Sequence, residues 1–185
     1  MLAEIDVLVL PYSSIDGNSL LNLLINEFSS EIWTNFKAAV AFCKQTGTIK
    51  DLLDAMQTFS ERGGEIEITF GADTFGAETK GSDYEAIETI LTKFNENPNV
   101  NIYLYHEKSR TFHPKIYLFS NEEVQKALLI VGSSNWSEGG FINNIEVDVI
   151  IRLDLKKPDH LACYNKIVEH IEDYWQEQEE EQEAS

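Results

Sequence analysis

The sequence predicts an α/β domain with a mixed, largely buried β-sheet flanked by helices, ending in an acidic C-terminal tail. Three observations predict it. Strand-like and helix-like segments alternate through the first half. Four strand-like runs cluster in the second half, which makes the sheet mixed. The chain has 185 residues, 43% hydrophobic and 11% aromatic, enough for one sizeable core. One domain over residues 1–175 is expected, followed by a disordered tail over 176–185. No internal repeat and no linker divides it.

Each element has its own signal. Residues 4–12 (EIDVLVLPY) are β-rich, and Pro11 marks the strand's end. Residues 18–29 place Leu20, Leu21, Leu24, Ile25 and Phe28 on one helical face, with Asn18 or Ser19 as cap. Residues 35–43 (NFKAAVAFC) read as a buried strand. Residues 48–61 are amphipathic, and Arg62-Gly63-Gly64 ends that helix. Residues 65–71 (EIEITFG) alternate and form a strand, followed by a Gly-rich loop over 73–82. Residues 82–95 form a helix with Ser82 and Glu85 as a capping box and Pro98 beyond it. Strands follow at 100–105, 114–119, 127–132 and 146–153. A closing helix over 158–176 frays into the tail.

Charge and composition exclude several classes of function. Fourteen basic residues face 32 acidic ones, a net charge of −18. The last ten residues hold five of those acids and no base, and without them the charge is still −13. Such a chain repels nucleic acid at long range. A polyanionic substrate therefore needs a local basic site, or delivery by another domain or subunit. Solubility alone is the bland explanation of the acidity. The apolar runs are too short to span a membrane. The N-terminus has no basic flank or cleavage site and reads as a strand. Cys43 and Cys163 stand 120 positions apart without metal-ligand spacing, so a reducing cytoplasm is the expected compartment. There is no HExxH and no compact Asp/Glu/His cluster, so no metal and no cofactor are expected.

One constellation carries chemistry. His113-Pro114-Lys115 opens the strand IYLF. Gly132-Ser133-Ser134-Asn135 closes the strand ALLIV, and Glu146 opens EVDVII. Residues two apart on a strand share a face, so His113 and Lys115 present an imidazole beside an ammonium. Ser133 and Asn135 form the same pair on the next strand. If these strands are neighbours, the groups suit a phosphate. The imidazole attacks phosphorus, while the ammonium and amide hold non-bridging oxygens. Glu146 would accept a hydrogen bond from the far ring nitrogen and fix the tautomer.

These residues resemble the phospholipase D superfamily. Its signature is H-x-K, a D four residues later, and G-S-x-N further on. Here the signature reads His113 to Lys115 and Gly132 to Asn135, with an acid, Glu146, eleven positions beyond that Asn and just after Asn143 and Asn144. The resemblance is good from Phe112 to about Leu153 and general in the preceding half. It implies a metal-independent phosphodiesterase with a phosphohistidine intermediate. It further implies that two histidines are needed, so a chain with one motif dimerises to build a composite site. One position departs from the signature: the aspartate is replaced by Ser120. A second literal HxK, His106-Glu107-Lys108, follows a strand instead of opening one, and is a decoy.

Around the motif, Lys108 and Arg110 are expected as substrate-binding cations at the pocket mouth. Trp136 either walls the pocket or belongs to the core. Gly139-Gly140 is expected in a loop needing positive φ, and His160 and His170 at the surface. Three functions follow. The first is a nuclease cleaving nucleic acid, with DNA favoured and RNA left open, the catalytic part of a restriction or defence system whose recognition lies in a separate domain or subunit. The second is a binding or assembly module with weakened catalysis, suggested by Ser120 and the acidity. The third is a phospholipid hydrolase, for which no basic amphipathic helix is present.

Overall fold

The computed structural model describes residues 3–9, 19–45, 47, 49–72, 81–107 and 110–175. Along them run β1 (Glu4–Val9), α1 (Leu20–Ser29), β2 (Asn35–Val40), α2 (Ile49–Glu61), β3 (Glu65–Gly71), α3 (Tyr84–Lys93) and β4 (Val100–Tyr105). Then come β5 (Lys115–Asn121), β6 (Lys126–Gly132), a π-helical turn (Gly139–Asn143), β7 (Val147–Asp154) and α4 (Pro158–Asp173). Pro11, Asn18, Thr48, residues 73–80 of the Gly-rich loop, Lys108 and the tail over 176–185 lie outside the described residues.

The strands form one mixed sheet in the order β1-β7-β6-β5-β2-β3-β4. β2, β3 and β4 run parallel, joined through α2 and α3. β5, β6, β7 and β1 add on antiparallel. The strand period of two divides the core between the faces. Phe36, Ile68, Tyr117 and Phe119 pack with α1, α2 and α3 on one face. Phe28 is the hub there, with ring centroids 4.6, 5.4 and 4.9 Å from Phe36, Phe59 and Phe119. The alternate residues Ala39, Leu118 and Leu129 pack with Tyr164 and Ile171 of α4 on the other.

The end of α4 is clasped by aromatics. The Tyr174 ring stands edge-on to Phe112 (4.9 Å) and Tyr105 (5.6 Å). Trp175 stacks on Tyr103 at 5.0 Å and donates Nε1–H to Thr69 Oγ1 at 3.0 Å. Lys37 sits 4.4 Å over the Trp175 ring.

Most boundaries agree with the sequence pattern, and the departures have tertiary causes. Ser19 caps α1, accepting Asn22 N–H at 3.1 Å. Gly63, at φ +92°, supplies the left-handed residue that ends α2. The capping box at Ser82 does not form, and α3 starts at Tyr84. Ser82 Oγ is engaged elsewhere, donating to Gly71 O (2.7 Å) and accepting Cys43 N–H (2.9 Å). β2 stops at Val40, and Cys43 rejoins only as a bridge to Trp136. His160 is not a surface residue. It is 5% exposed, because the first turn of α4 folds against the end of β7 and its Nδ1 accepts Asp154 N–H at 3.0 Å. His170 is exposed. Cys43 and Cys163 are both free, and burial pushes the Cys43 thiol up to about 12. Among the described residues no helix is long and apolar enough to cross a membrane.

Candidate active site

Antiparallel pairing brings three strand ends to one edge of the sheet. Ile116 of β5 faces Val131 of β6, and Gly132 faces Asp148 of β7. The start of β5, the end of β6 and the start of β7 are therefore neighbours. His113, Lys115, the 133–135 turn and Glu146 meet there, although the chain spreads them over more than thirty positions.

Lys115 is the buried cation of this edge, 6% exposed. Its ammonium lies 3.0 Å from His113 Nδ1 and 3.1 Å from Nε2, and donates to His113 O at 3.2 Å. A neutral imidazole offers one ring nitrogen as acceptor. Burial is the main influence on Lys115 and holds its pKa below the ordinary 10.5, while the charge of Glu146 opposes this. The exposed His113 ring stands edge-on to Phe42 at 5.7 Å. Phe42 comes from the chain just beyond β2, held by Ala41 N–H donating to Pro114 O (2.8 Å) and Trp136 N–H donating to Phe42 O (3.1 Å).

β6 ends at Gly132, so Ser133 and Asn135 lie in a turn and not on a strand face. Ser133 Oγ donates to Glu146 Oε2 and accepts Val147 N–H at 3.1 Å. Asn144 Nδ2 donates to the other Glu146 oxygen at 3.1 Å. Glu146 thus holds Ser133 and Asn144, not the His113 ring. The cause is register: pairing Gly132 with Asp148 sets Ser133 opposite the start of β7. Asn135 Oδ1 is buried and has no partner among the described residues.

Three supports of this turn escaped the sequence reading. Asp148 is fully buried and accepts Ser134 Oγ–H (2.6 Å) and Ser134 N–H (3.3 Å). Burial is the largest influence on its carboxyl, raising the pKa above 3.8. Tyr117 O–H, also fully buried, donates to Ser134 O at 2.9 Å. The π-helical turn packs on Asn135. A Cβ at Gly140 would stand 2.3 Å from Asn135 O, so this glycine serves close approach rather than positive φ. Asp148 had a usable signal, since it lies two residues beyond Glu146 in the strand predicted over 146–153.

The remaining expected residues are placed as follows. Trp136 has no exposed surface and lies among Phe70, Tyr117 and Phe141, so it backs the turn from the core and cannot touch substrate. Arg110 is exposed, 3.6 Å from Glu107 through its Nε. Ser120 is five residues along β5 from Lys115, about 16 Å away. It faces α4, where Tyr164 O–H donates to it at 3.1 Å. Among the described residues no group of His, Cys, Asp and Glu could hold a metal ion.

Comparison with known families agrees with this fold. The family described as cardiolipin synthase, PLD-like domain, matches residues 29–175. The chain belongs to this phospholipase D-like family. No curated protein matches the sequence. Among solved structures, the phospholipase D-like chain resembles NucT from Helicobacter pylori with a TM-score of 0.63 at 19% identity, covering 94% of this chain and 96% of NucT. It resembles Nuc, a phospholipase D family member from Salmonella typhimurium, with a TM-score of 0.61 at 18% identity, covering 94% and 95%. Phosphatidylserine synthase from Haemophilus influenzae gives a TM-score of 0.68 at 16% identity, covering 94% of this chain but 39% of that one. These likenesses show a shared fold.

Proposed function

We propose that the protein is a metal-independent phosphodiesterase that cleaves nucleic acid, DNA in the first instance, through a phosphohistidine in a site shared by two copies of the chain. The observation that carries this reading is the Lys115 ammonium set 3.0 Å from the His113 ring, on an edge that also presents Ser133 and Asn135. In the first step a bare His113 ring nitrogen attacks phosphorus. A P–N bond forms and the P–O bond to the leaving sugar oxygen breaks. That oxygen takes a proton from His113 of the partner subunit. In the second step the same partner imidazole accepts a proton from water as it attacks, the P–N bond breaks and His113 is regenerated. Lys115, Ser133 and Asn135 hold the phosphoryl oxygens. Glu146 fixes Ser133 and balances Lys115. Arg110 and Lys108 meet the approaching backbone.

The need for a second imidazole makes the homodimer part of the proposal. Apolar side chains beside the site support it. Ile145 is 86% exposed next to Glu146, and Val147 and Val131 are exposed at the neighbouring strand ends. A second copy would cover them. With a net charge of −18, sequence recognition belongs to another domain or subunit, as in a restriction or defence system. The weakened-module reading leaned on Ser120 and the acidity, and Ser120 lies on the other face of the sheet, against Tyr164 of α4.

The test is incubation with single-stranded and duplex DNA in excess EDTA, with acid-stable and base-stable adducts followed separately. Cleavage that survives chelation, with a base-stable, acid-labile phosphoryl adduct, is the expected result. Cleavage that needs a divalent cation, or a strictly monomeric protein that cleaves, overturns the mechanism.

Two predictions follow for the same assay. Lys115 is charged below its pKa, and burial sets that pKa under 10.5. Substrate affinity should therefore hold at neutral pH and fall on the alkaline side earlier than free lysine titrates. Glu146→Gln removes the opposing influence and should move the rise in KM to still lower pH. Ser120→Ala, by contrast, should leave the cleavage rate within about twofold. It removes one hydrogen bond from Tyr164, a loss of about 1 kcal/mol in chemical denaturation. A large loss of activity there would mean that the far face of the sheet reaches the site.

A further inference from the structure

The end of the sheet opposite His113 holds a second pocket, a strand's length or about 20 Å away. It has a volume of about 480 Å³ and lies where β6 begins, β7 ends, α1 ends and α4 starts. That size suits a small ligand. Trp33, Leu128 and Leu153 give it an apolar wall.

Its polar side is charge-balanced in a strongly acidic protein, three cations against three carboxylates. Lys126, Arg152 and Lys157 line it together. The side chains of Lys126 and Arg152 have no hydrogen-bond or ion-pair partner among the described residues. Two of the three acids in the lining are already engaged. Glu27 accepts Trp33 Nε1–H at 2.7 Å, and Asp154 holds Lys157 at 3.5 Å and Lys156 N–H at 3.3 Å. The third, Glu4, stands opposite Arg152 in the β1–β7 register without pairing to it.

Two further observations point to an anion. The sixteen-residue helix α4 starts here, and no side chain caps its N-terminus. Pro158 brings no N–H and Leu161 N–H is taken by Lys157 O at 2.9 Å, so the terminus offers the amides of Asp159 and His160 with the helix dipole, which favour negative charge beside the Asp159 carboxylate of the same turn. His160, 5% exposed, stands in the wall. Its Nδ1 accepts Asp154 N–H, so the ring proton is on Nε2, and that buried N–H has no partner. A buried donor of this kind calls for an acceptor.

We propose that this pocket binds a small aryl or nucleoside monophosphate. The phosphate is held by Arg152, Lys126, Lys157 and the N-terminus of α4, and its ring lies against Trp33, Leu128 and Leu153. Lys157 is already paired with Asp154, and the two unpaired cations, Arg152 and Lys126, match the two charges of a phosphate monoester. The site is separate from His113 and stands whether or not the chain cleaves DNA.

The test is titration of the full chain with phenyl phosphate, following the indole N–H signals of Trp33, Trp136 and Trp175 by NMR. The Trp33 signal should move and saturate while Trp136 stays still. Inorganic phosphate should bind more weakly. The double variant Arg152→Gln/Lys126→Gln changes two exposed side chains, and an unmoved Trp136 signal shows that it is folded. It should weaken phenyl phosphate at least about tenfold, which is 1.4 kcal/mol. His113→Ala should leave the Trp33 titration unchanged. A still Trp33 signal, an unaffected double variant, or loss of the shift in His113→Ala overturns the proposal.

Discussion

His113→Ala is expected to lower EDTA-resistant cleavage by about 10⁴-fold or more, the scale on which removal of an attacking group acts. The fold should survive, because the ring is exposed and packs edge-on against Phe42. The loss is then chemical and not structural, and an unchanged thermal unfolding curve checks that. Mixing variant and wild-type subunits tests the shared site. If one imidazole attacks and the other protonates, a mixed dimer lacks one of the two roles. An equimolar, fully exchanged mixture should keep about a quarter of the activity rather than a half. Retention of a half means that each chain works alone, and the composite mechanism fails.

Gly132→Ala is expected to be the most damaging single methyl in the site. A Cβ there would stand 2.0 Å from Asp148 Oδ1 and 2.3 Å from Val147 O. The second contact is main chain, so rotation of a side chain cannot relieve it. Either β6 and β7 part, or the Asp148 carboxylate leaves Ser134. Both dismantle the turn that carries Ser133 and Asn135. A loss of about 3 kcal/mol or more in urea unfolding is expected, with little measurable cleavage. Near-native stability would mean that β7 yields more easily than its pairing implies.

The sequence announced the strands well because they alternate and end in recognisable breakers. The strands at 65–71 and 100–105 fall where the pattern put them. The motif residues were legible because they sit within two or three positions of strand ends. What could not be read was the pairing. Only β6–β7 register places Ser133 on Glu146, and only β2–β5 pairing brings Phe42 to His113. Ser82 looked like a helix cap in isolation, yet two backbone partners, Gly71 O at the end of β3 and Cys43 N–H beyond β2, claim it. His160 looked like a surface residue because nothing local records that α4 turns back onto β7. Tertiary contacts decided each of these cases, and propensity and periodicity along the chain do not record them.

The aromatic clasp on Phe112 bears on when the protein becomes active during its own synthesis. Phe112 directly precedes His113, and the ring that braces it, Tyr174, belongs to the last described turn. A nascent chain can pair its sheet once β7 has left the ribosome, but Tyr174 is then still inside the exit tunnel. The imidazole gains its backbone brace only once the end of α4 has emerged, so a chain cut off before Tyr174 carries the motif without the support that steadies it.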